Sequence, residues 1–420
     1  MTNTKYATLV EVAKGQRKDR RLNLALEAIA FDSSSGIPIS WQSLAEELDA
    51  INRHITVNAD DFEEAASDYN HIAERLVEKL HWPNDAIRII PQGSSSTKTL
   101  IRMPGPGKFD IDAVCAVDIS KIEAKDPIVF FEKIGEALED WLPSAKKRCW
   151  CVEFTNRRYY IEFTPSVPLN TIPAQAVASI CYRPSDRYSD TALAVVDTPT
   201  RRWKTSNPEG FSNWVSDQAK RIILVSLLLE KRAMEALASD SVAPVPEQQV
   251  PLSDTLRIAI RLLKRHRDMS VQRGYFEAEL KPISVIIVTL LTQCYEGLAD
   301  QNARYSHPIE LLADLAQLMP GMIEIRNGDY WIENPTVAEE NFAEKWNTNH
   351  TLKDVFDNWC ELLIDDLQSI LSSTDERSLC ENIRSVFGCT AVTGSVPPSS
   401  SGLASRAPNR VHNVPARGLA

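Results

Sequence analysis

Two aspartates separated by one residue, Asp110 and Asp112, lie in the run Phe109–Val117, whose composition is typical of a β-strand. Successive side chains of a strand point to opposite faces, so both carboxylates fall on one face and Ile111 on the other. Two adjacent carboxylates are costly unless a positive charge lies between them, and a divalent cation is the usual one. The alternative is a strand end with two solvated aspartates.

A third carboxylate, Glu162, lies in a later apolar run, residues 158–163, that predicts another strand. A single carboxylate among apolar residues in a central strand needs a partner. If this strand lies beside the strand of Asp110, Glu162 completes a cluster of three carboxylates. The alternative is an edge strand with Glu162 in water.

A Gly-Ser turn precedes the aspartates. The residues Gln92, Gly93 and Ser94 directly follow a strand predicted at 87–90, and hydroxyl residues continue to Thr97. Glycine lets the backbone approach a ligand closely, and hydroxyls with free N–H groups at a helix start suit a phosphate. A serine-capped turn without a ligand is the alternative.

Two polar residues of the C-terminal half lie on predicted helices. Lys264 is near the end of an amphipathic helix predicted at 254–267, away from its apolar stripe. Ser284 is near the start of a strongly apolar helix predicted at 282–298, where backbone N–H groups lack helical partners. A solvated lysine and a plain helix cap are the alternatives.

The elements that must position these residues change in character along the chain. Helical spacing dominates residues 1–80, with an N-cap at Asn58 or Asp60 and a helix end near Trp82. Strands are then predicted at 87–90, 109–117, 150–155, 158–163 and 192–196, with a helix at 127–141. Further helices are predicted at 212–237, 254–267, 282–298, 308–318, 338–347 and 352–372. The pattern predicts an α+β protein.

Four regions follow from this organisation. Residues 1–82 are predicted to form N-terminal helices that pack on the core, and residues 83–205 the core itself. Residues 206–389 are predicted to form a C-terminal helical lobe. Residues 390–420 are rich in Ser, Pro, Gly and Arg without any Asp or Glu, which predicts a flexible tail.

Composition excludes several classes of protein. The chain has 46 Lys and Arg against 57 Asp and Glu, a net charge of −11, which disfavours a broad basic face for nucleic acid. No apolar run approaches the ~18–20 residues that span a bilayer, and the polar start lacks a signal peptide's apolar region. Eight cysteines without a C-x-x-C pair indicate reduced thiols. We expect a cytoplasmic protein without membrane contact.

The order of these motifs resembles the nucleotidyltransferases of the DNA polymerase β superfamily: Gly-Ser after a strand, Asp-x-Asp on the next, and one acidic residue on a later strand. The C-terminal half narrows the resemblance, since a helix bearing Lys264 precedes a Lys-Pro-x-Ser helix start at 281–284. That pattern is similar to the bacterial cGAS/DncV-like nucleotidyltransferases (CD-NTases). The stretches 203–208, 334–335 and 340–342 support it.

The resemblance implies a bilobed polymerase-β-like enzyme with its active site in the cleft between the lobes. Asp110, Asp112 and Glu162 are implied as catalytic residues that hold two Mg²⁺ ions, or Mn²⁺ ions, which activate a hydroxyl and neutralise the leaving pyrophosphate. Many relatives have aspartate as the third carboxylate. Glutamate, which is one methylene longer, can also ligate Mg²⁺.

The same resemblance assigns nucleotide contacts. Gln92 is implied to touch the nucleotide, and the turn of Gly93 and Ser94 to hold its phosphates. Lys264 and Ser284 match positions that hold the donor triphosphate from the helical lobe.

The implied activity is a cyclic oligonucleotide synthase that makes a cyclic di- or trinucleotide from ribonucleoside triphosphates, ATP among them. The implied role is bacterial antiphage signalling (CBASS), in which the product reaches a downstream effector and no stable nucleic acid partner is needed. The alternatives are a polymerase-β-like transferase that modifies a protein or RNA acceptor, and a catalytically dead nucleotide-binding module. Some such synthases are conjugated through their C-terminus by a ubiquitin-transferase-like partner, so the tail, ending in Ala420, is a candidate attachment point.

Overall fold

The computed structural model describes residues 4–16, 21–32, 41–172, 180, 183–224 and 242–389. The tail predicted at 390–420, and with it the proposed attachment point Ala420, lies outside the described residues. The second half of the helix predicted at 212–237 also lies outside them.

Helices make up more of the described chain than strands do. Their bounds are α1 (Lys5–Gln16), α2 (Arg21–Asp32), α3 (Trp41–Ile55), α4 (Ala59–Leu80), α5 (Gly93–Ser96), α6 (Pro127–Ala137), α7 (Pro208–Ala219), α8 (Thr255–Gln272), α9 (Ser284–Asp300), α10 (Pro308–Leu318), α11 (His350–Leu371) and α12 (Glu376–Phe387). The strands are β1 (Ile87–Gln92), β2 (Phe109–Val117), β3 (Ser144–Ala145), β4 (Trp150–Glu153), β5 (Tyr159–Pro168), β6 (Arg183–Pro184), β7 (Leu193–Asp197), β8 (Arg202–Ser206), β9 (Glu324–Arg326), β10 (Asp329–Trp331) and β11 (Val337–Ala338). The α+β class predicted from sequence is confirmed.

One mixed sheet forms the core of the first lobe. Its strand order is β1-β2-β5-β4-β3, with β7 paired to β5 and β8 to β7. Strands β2 and β5 are parallel, and the other neighbours in this sheet are antiparallel. Strand β5 pairs with β4 through residues 160–163 and with β7 through 166–168, so one long strand joins both parts of the sheet.

The two faces of the sheet differ as the alternation in β2 predicts. Helices α4 and α6 cover one face and bury it completely. The buried cluster includes Tyr69, Ile72, Phe130, Ile134, Ile111, Ala113, Cys115 and Phe163. Burial of this kind contributes about 25 cal/mol per Å² of apolar surface, so it holds the strands in register. The opposite face carries the polar positions of β2.

The helical lobe is built around α8 and α9. One stretch, Ala278–Asp300, is long and apolar enough to cross a membrane, but 83% of its most apolar window is buried inside the protein. Helices α1 and α10 pack against α9, and α3, α11 and α12 against α8. The apolarity of α9 is therefore that of a core helix.

The N-terminal helices divide between the two lobes. Among the described helices of the region predicted at 1–82, α4 packs on the sheet, whereas α1, α2 and α3 join the core of the helical lobe. Helix α1 crosses α9 where a Cβ on Gly297 would overlap the carbonyl oxygen of Tyr6, and a Cβ at Gly321 would lie 2.6 Å from that of Ala13. The prediction that all these helices pack on the core is wrong, because these close approaches fix α1 on distant partners.

The prediction of a helix at 338–347 is also wrong. That segment contains strand β11, a turn at Glu339 with φ +65° and a 3₁₀ turn, Glu344–Asn347. The side chain of Asn341 takes one backbone group that a helix would use, because its Oδ1 accepts from the N–H of Ala343. It also ties the segment to the preceding strand: Oδ1 accepts from the N–H of Ile332, and Nδ2 donates to the carbonyl of Tyr330. Asparagine side chains compete with helical hydrogen bonds in this way.

Several boundaries follow the predicted signals. Helix α4 is capped by Asn58, whose side chain accepts from the Asp60 N–H at 3.1 Å, and it ends at His81 in a left-handed conformation. Strand β2 and helix α10 have the predicted bounds. No disulfide links the seven described cysteines to one another, and six of them are buried.

Candidate active site

Three polar residues meet side by side on the open face of the sheet. Asp112 of β2 is the register partner of Gln92 in antiparallel β1 and of Glu162 in parallel β5. Asp110, two residues earlier, shares the face of Asp112. Neighbouring strands lie about 4.8 Å apart, so the register brings Glu162 beside the aspartate pair.

The aspartate pair is electrostatically strained. The pKa of the Asp112 carboxyl lies well above its ordinary value, first because it is buried, then because Asp110 and Glu162 add like charges. Lys146 opposes this rise. A carboxylate in such surroundings is stabilised by a cation placed between the carboxyl groups.

The turn after β1 fits closely against Asp112. Gly93 has φ +65°, and a Cβ at this position would overlap Oδ2 of Asp112. Only glycine tolerates both this backbone conformation and this contact. The Nε2 of Gln92 donates to Thr164 Oγ1 at 3.0 Å, so Gln92 ties β1 to β5 across Asp112.

Lys264 reaches this turn from the helical lobe. Its ammonium donates to Ser94 Oγ at 2.9 Å and to the Thr99 carbonyl at 2.8 Å, and the residue is only 3% exposed. Burial, with a further contribution from Arg267, lowers its pKa to about 8. The solvated-surface alternative for Lys264 is therefore wrong. A buried lysine that donates to neutral oxygens is suited to receive an anion.

Ser284 is the first residue of α9. Its Oγ accepts from Nη1 of Arg267 at 3.0 Å, and the same guanidinium donates to the Pro282 carbonyl at 3.0 Å and pairs with Asp268 at 2.7 Å. Lys281 lies 3.6 Å from Asp268. Sequence reasoning missed Arg267 and Asp268. Their signal was available, since both follow Lys264 within one helical turn and therefore lie at the same helix end.

A cavity of about 620 Å³ joins these groups across the two lobes. From the sheet lobe it is lined by the predicted residues Gln92, Gly93, Ser94, Asp110 and Asp112. From the helical lobe, Lys264 and Ser284 line it. This volume is in the range of small-molecule sites.

Glu162 stands apart from the cavity lining. Lys146 Nζ donates to its Oε1, and Cys149 Sγ donates to its Oε2 at 3.1 Å. Both partners come from the β3–β4 hairpin, beside which β5 runs. In the described part of the chain, no group of three or more His, Cys, Asp and Glu side chains is arranged to hold a metal ion. The role of Glu162 as third ligand stays a prediction.

The donor set of the aspartate pair nevertheless fits a hard divalent cation. Asp110 and Asp112 both line the cavity and offer carboxylate oxygens, which Mg²⁺ prefers. Burial, and then the like charges of neighbouring carboxylates, raise the pKa of Asp112, and a cation there would offset the repulsion. The fit is therefore to the two aspartates, while Glu162 is paired with Lys146.

The far wall of the cavity comes from one loop of the helical lobe. Asn334, Glu340 and Phe342 line it, together with Phe211 at the start of α7. Glu340 pairs with Lys204 of β8 at 3.3 Å. The sequence alone did not assign these residues a role.

The site thus combines adjacent carboxylates with buried cations on opposite sides of one cavity. Such a pairing can hold a polyphosphate by its negative charges, and Asp110 and Asp112 would hold a divalent cation that supplies Lewis acidity beside it.

The chain is similar to known proteins in part of its sequence and in its fold. No family model matches the sequence. A curated relative, a c-di-GMP synthase from Roseivirga ehrenbergii, is 25% identical over 263 residues, which is 62% of this chain and 61% of that protein. The match thus spans about three fifths of that relative's length.

Two solved structures share the fold. CdnG, a CD-NTase of Bradyrhizobium diazoefficiens in complex with GTP, superposes with a TM-score of 0.52 at 18% identity, covering 84% of this chain and 96% of that one. CdnC of E. coli MS115-1, in a complex with HORMA-deltaN, gives a TM-score of 0.51 at 14% identity, covering 84% and 99%. The chain has the bilobed fold that these proteins share, as the sequence resemblance predicted.

Proposed function

We propose that this chain is a CD-NTase that joins ribonucleoside triphosphates into a cyclic di- or trinucleotide and releases pyrophosphate. The fold shared with CdnG and the curated relative's name, a c-di-GMP synthase, both support this proposal. CdnG was solved with GTP, which makes GTP a candidate substrate beside ATP.

One observation carries the proposal furthest: Lys264, a buried lysine of the helical lobe, touches Ser94 in the same cavity as Asp110 and Asp112. A triphosphate bound against Lys264 and Ser94 faces the two carboxylates. Its anionic oxygens would replace neutral oxygens as partners of the ammonium, and charge-assisted contacts are about twice as strong as neutral ones.

Asp110 and Asp112 would hold Mg²⁺, for which Mn²⁺ can substitute. When bound, the metal supplies a Lewis acid that activates the attacking hydroxyl and neutralises the departing pyrophosphate. Glu162 would join as third ligand only after its ion pair with Lys146 opens.

The protein's own groups supply orientation. The attacking ribose hydroxyl forms a bond to the α-phosphorus and loses its proton to water, while the bond to the pyrophosphate oxygen breaks. Lys264 and Ser94 hold the departing phosphates at one end of the cavity. Ser284 and Arg267 keep the start of α9 at that same end, and Gly93 leaves room for Asp112.

The proposed biological role is antiphage signalling in the cytoplasm, in which the cyclic product activates an effector. Its support is the sequence resemblance to CD-NTases.

The test is product analysis with the full-length protein. The protein is incubated with the four ribonucleoside triphosphates and Mg²⁺ or Mn²⁺, and products are identified by mass spectrometry. We expect a cyclic product and pyrophosphate from wild type, and neither from Asp112→Asn. The matched control is Glu153→Gln, an exposed carboxylate on β4 that should leave turnover unchanged. Turnover that requires an added protein or RNA acceptor would overturn the proposal.

A further inference from the structure

The loop that forms the far wall of the cavity holds one carboxylate in a fixed position. The main chain of Glu340 is pinned on both sides: its carbonyl accepts from the Asn334 N–H at 2.9 Å, and its own N–H donates to Val337 at 3.4 Å. The Phe342 N–H donates to the Ile332 carbonyl at 2.9 Å. Glu340 is therefore positioned before any ligand arrives.

The side chain of Glu340 is fixed as well. Asn334 Nδ2 donates to Oε2 at 2.7 Å, and Lys204 Nζ lies 3.3 Å from Oε1. The orientation of the Asn334 amide is settled by its other end, because Oδ1 accepts from the backbone N–H of Thr336 at 2.9 Å. Asn334 must therefore present its NH₂ group, a donor, to Glu340.

This arrangement leaves acceptor capacity on both carboxylate oxygens. An ionised carboxylate offers about four lone-pair sites, and the described contacts of Glu340 use one on each oxygen. The side chain is 15% exposed and lines the cavity. It can therefore accept two further hydrogen bonds from a ligand in the cavity.

The neighbouring wall suits a flat ring. Phe342 and Phe211 both line the cavity, with ring centroids 6.2 Å apart and planes at 84°. One ring can therefore present its face while the other presents its edge. Aromatic and apolar side chains are the usual platform for a nucleobase, whose polar edge then meets a hydrogen-bonding group.

We propose that Glu340 reads the Watson–Crick edge of a guanine base, which makes the site selective for a guanine nucleotide. The assignment rests on the proposed nucleotide chemistry of this cavity. Guanine offers two adjacent donors, N1–H and the 2-amino group, to the two oxygens of one carboxylate. Adenine offers one donor beside an N1 lone pair, which the carboxylate repels.

Base discrimination can be measured on the wild-type protein. Affinities for α,β-methylene analogues of GTP, ITP and ATP are compared by titration calorimetry with Mg²⁺, since these analogues bind without turnover. Hypoxanthine keeps N1–H but lacks the 2-amino group. We expect GTP to bind most tightly, ITP several-fold more weakly, and ATP roughly 10- to 100-fold more weakly than GTP. Equal affinities for the three analogues would overturn the assignment.

Glu340→Gln provides the reciprocal test. A glutamine amide offers one acceptor and one donor, which matches adenine rather than guanine. The ratio of GTP to ATP affinity should therefore fall by roughly 10- to 100-fold. The matched control is Glu339→Gln, the exposed neighbour outside the cavity, which should keep the wild-type ratio. Melting temperatures check that both variants fold.

The outcomes separate this assignment from the proposed function. An equal weakening of both analogues by Glu340→Gln would assign Glu340 a general electrostatic role and overturn base reading. Affinities that do not change in Glu340→Gln would also overturn base reading by Glu340. The nucleotidyltransferase proposal would stand in that case. If none of the three analogues binds the wild-type protein, the proposed function fails, and the assignment fails with it.

Discussion

Lys264 Nζ donates a hydrogen bond to Ser94 Oγ at 2.9 Å and thereby links the central helix of one lobe to the Gly-Ser turn of the other. The residue is only 3% exposed, so its side chain runs through the packed interior to reach the turn. In this structure the lysine places its charge at one end of the cavity, and the aspartate pair on β2 lines the sheet side of the same cavity.

Replacing this lysine should reduce function more than stability. In Lys264→Met, we expect the Michaelis constant for nucleotide to rise about 10- to 100-fold, since a hydrogen bond to a charged group is worth about 1.5–3 kcal/mol. The melting temperature near pH 7 should stay equal or rise, because a costly buried charge is removed. Steady-state kinetics and thermal unfolding on the same sample check this. An unchanged Michaelis constant would contradict the phosphate contact.

The lowered pKa of Lys264, about 8, gives opposite pH trends for affinity and stability. The unfolded lysine keeps its proton to about pH 10.4, so above pH 8 the unfolded state binds more protons than the folded state. The contribution of Lys264 to the free energy of unfolding therefore rises with pH in this range. Nucleotide affinity should instead decline above pH 8, by up to about tenfold per unit, because binding must first protonate the amine. Calorimetric titrations from pH 7 to 9.5 test this decline, which should be absent in Lys264→Met.

Asp112→Asn should abolish turnover without unfolding the protein. We expect product formation to fall at least about 100-fold, as the site loses a metal-holding carboxylate. The melting temperature should be equal or higher, because burial and two neighbouring carboxylates already disfavour the ionised Asp112. Pyrophosphate release and differential scanning calorimetry provide the two measurements. Substantial turnover in Mg²⁺ by this variant would contradict the assignment of Asp112.

A second buried network, in the helical lobe, should make the stability of the protein depend on pH. Trp359 Nε1 donates to His266 Nδ1 at 2.9 Å, and His266 Nε2 lies 2.8 Å from Asp366, which Arg273 also pairs. The imidazole is thereby held neutral. Burial lowers its pKa, with Asp366 opposing and Arg273 assisting that shift.

Because the unfolded imidazole binds a proton below about pH 6.5 and the folded one does not, the free energy of unfolding should fall on acidification by up to about 1.4 kcal/mol per unit. His266→Phe should lose this pH dependence. It should also lower the free energy of unfolding by about 1–3 kcal/mol at pH 8, since Trp359 is left without an acceptor. Urea unfolding between pH 5.5 and 8 measures both effects. His350→Gln, at an exposed helix start, should keep the wild-type pH profile.

Substitution of alanine for two helical glycines should have opposite effects on the stability of the protein. Gly15→Ala in α1 meets nothing within 4 Å and should stabilise the protein by about 0.5–1 kcal/mol, the usual helix propensity gain. Gly297→Ala in α9 should destabilise it by about 1–3 kcal/mol, because its Cβ would overlap the Tyr6 carbonyl and push α1 away. Denaturant midpoints of the two variants, measured side by side, give the comparison. Stabilisation by both substitutions would show that α1 does not cross α9 at this glycine.

The parts of the site that sequence could predict are those fixed by local pattern. Alternation in β2 placed Asp110 and Asp112 on one face, and the bounds of that strand agree with the prediction. Gly93 was identified because a glycine after a strand predicts a sharp turn or a close approach, and both occur here.

The remaining parts depend on partners far along the chain. Lys146 meets Glu162 only because the short β3–β4 hairpin, polar and weakly patterned, folds beside β5. Glu340 enters the cavity through a loop whose shape is set by the Asn341 side chain, and helical periodicity there was misleading. No local signal encodes such long-range contacts.

Helix α1 has its contacts at the opposite end of the sequence. Lys14 donates to Gln301, which lies 287 positions further along the chain, and Gln301 in turn donates to the Ala7 carbonyl. On the ribosome, the first helix is therefore synthesised long before its docking surface exists. The sheet and α4 come from one continuous stretch and can form early, whereas the cavity is complete only after the loop that carries Glu340 and Phe342 has emerged. A nascent chain that stops before α8 carries the aspartate pair without Lys264, so termination there is expected to yield no active fragment.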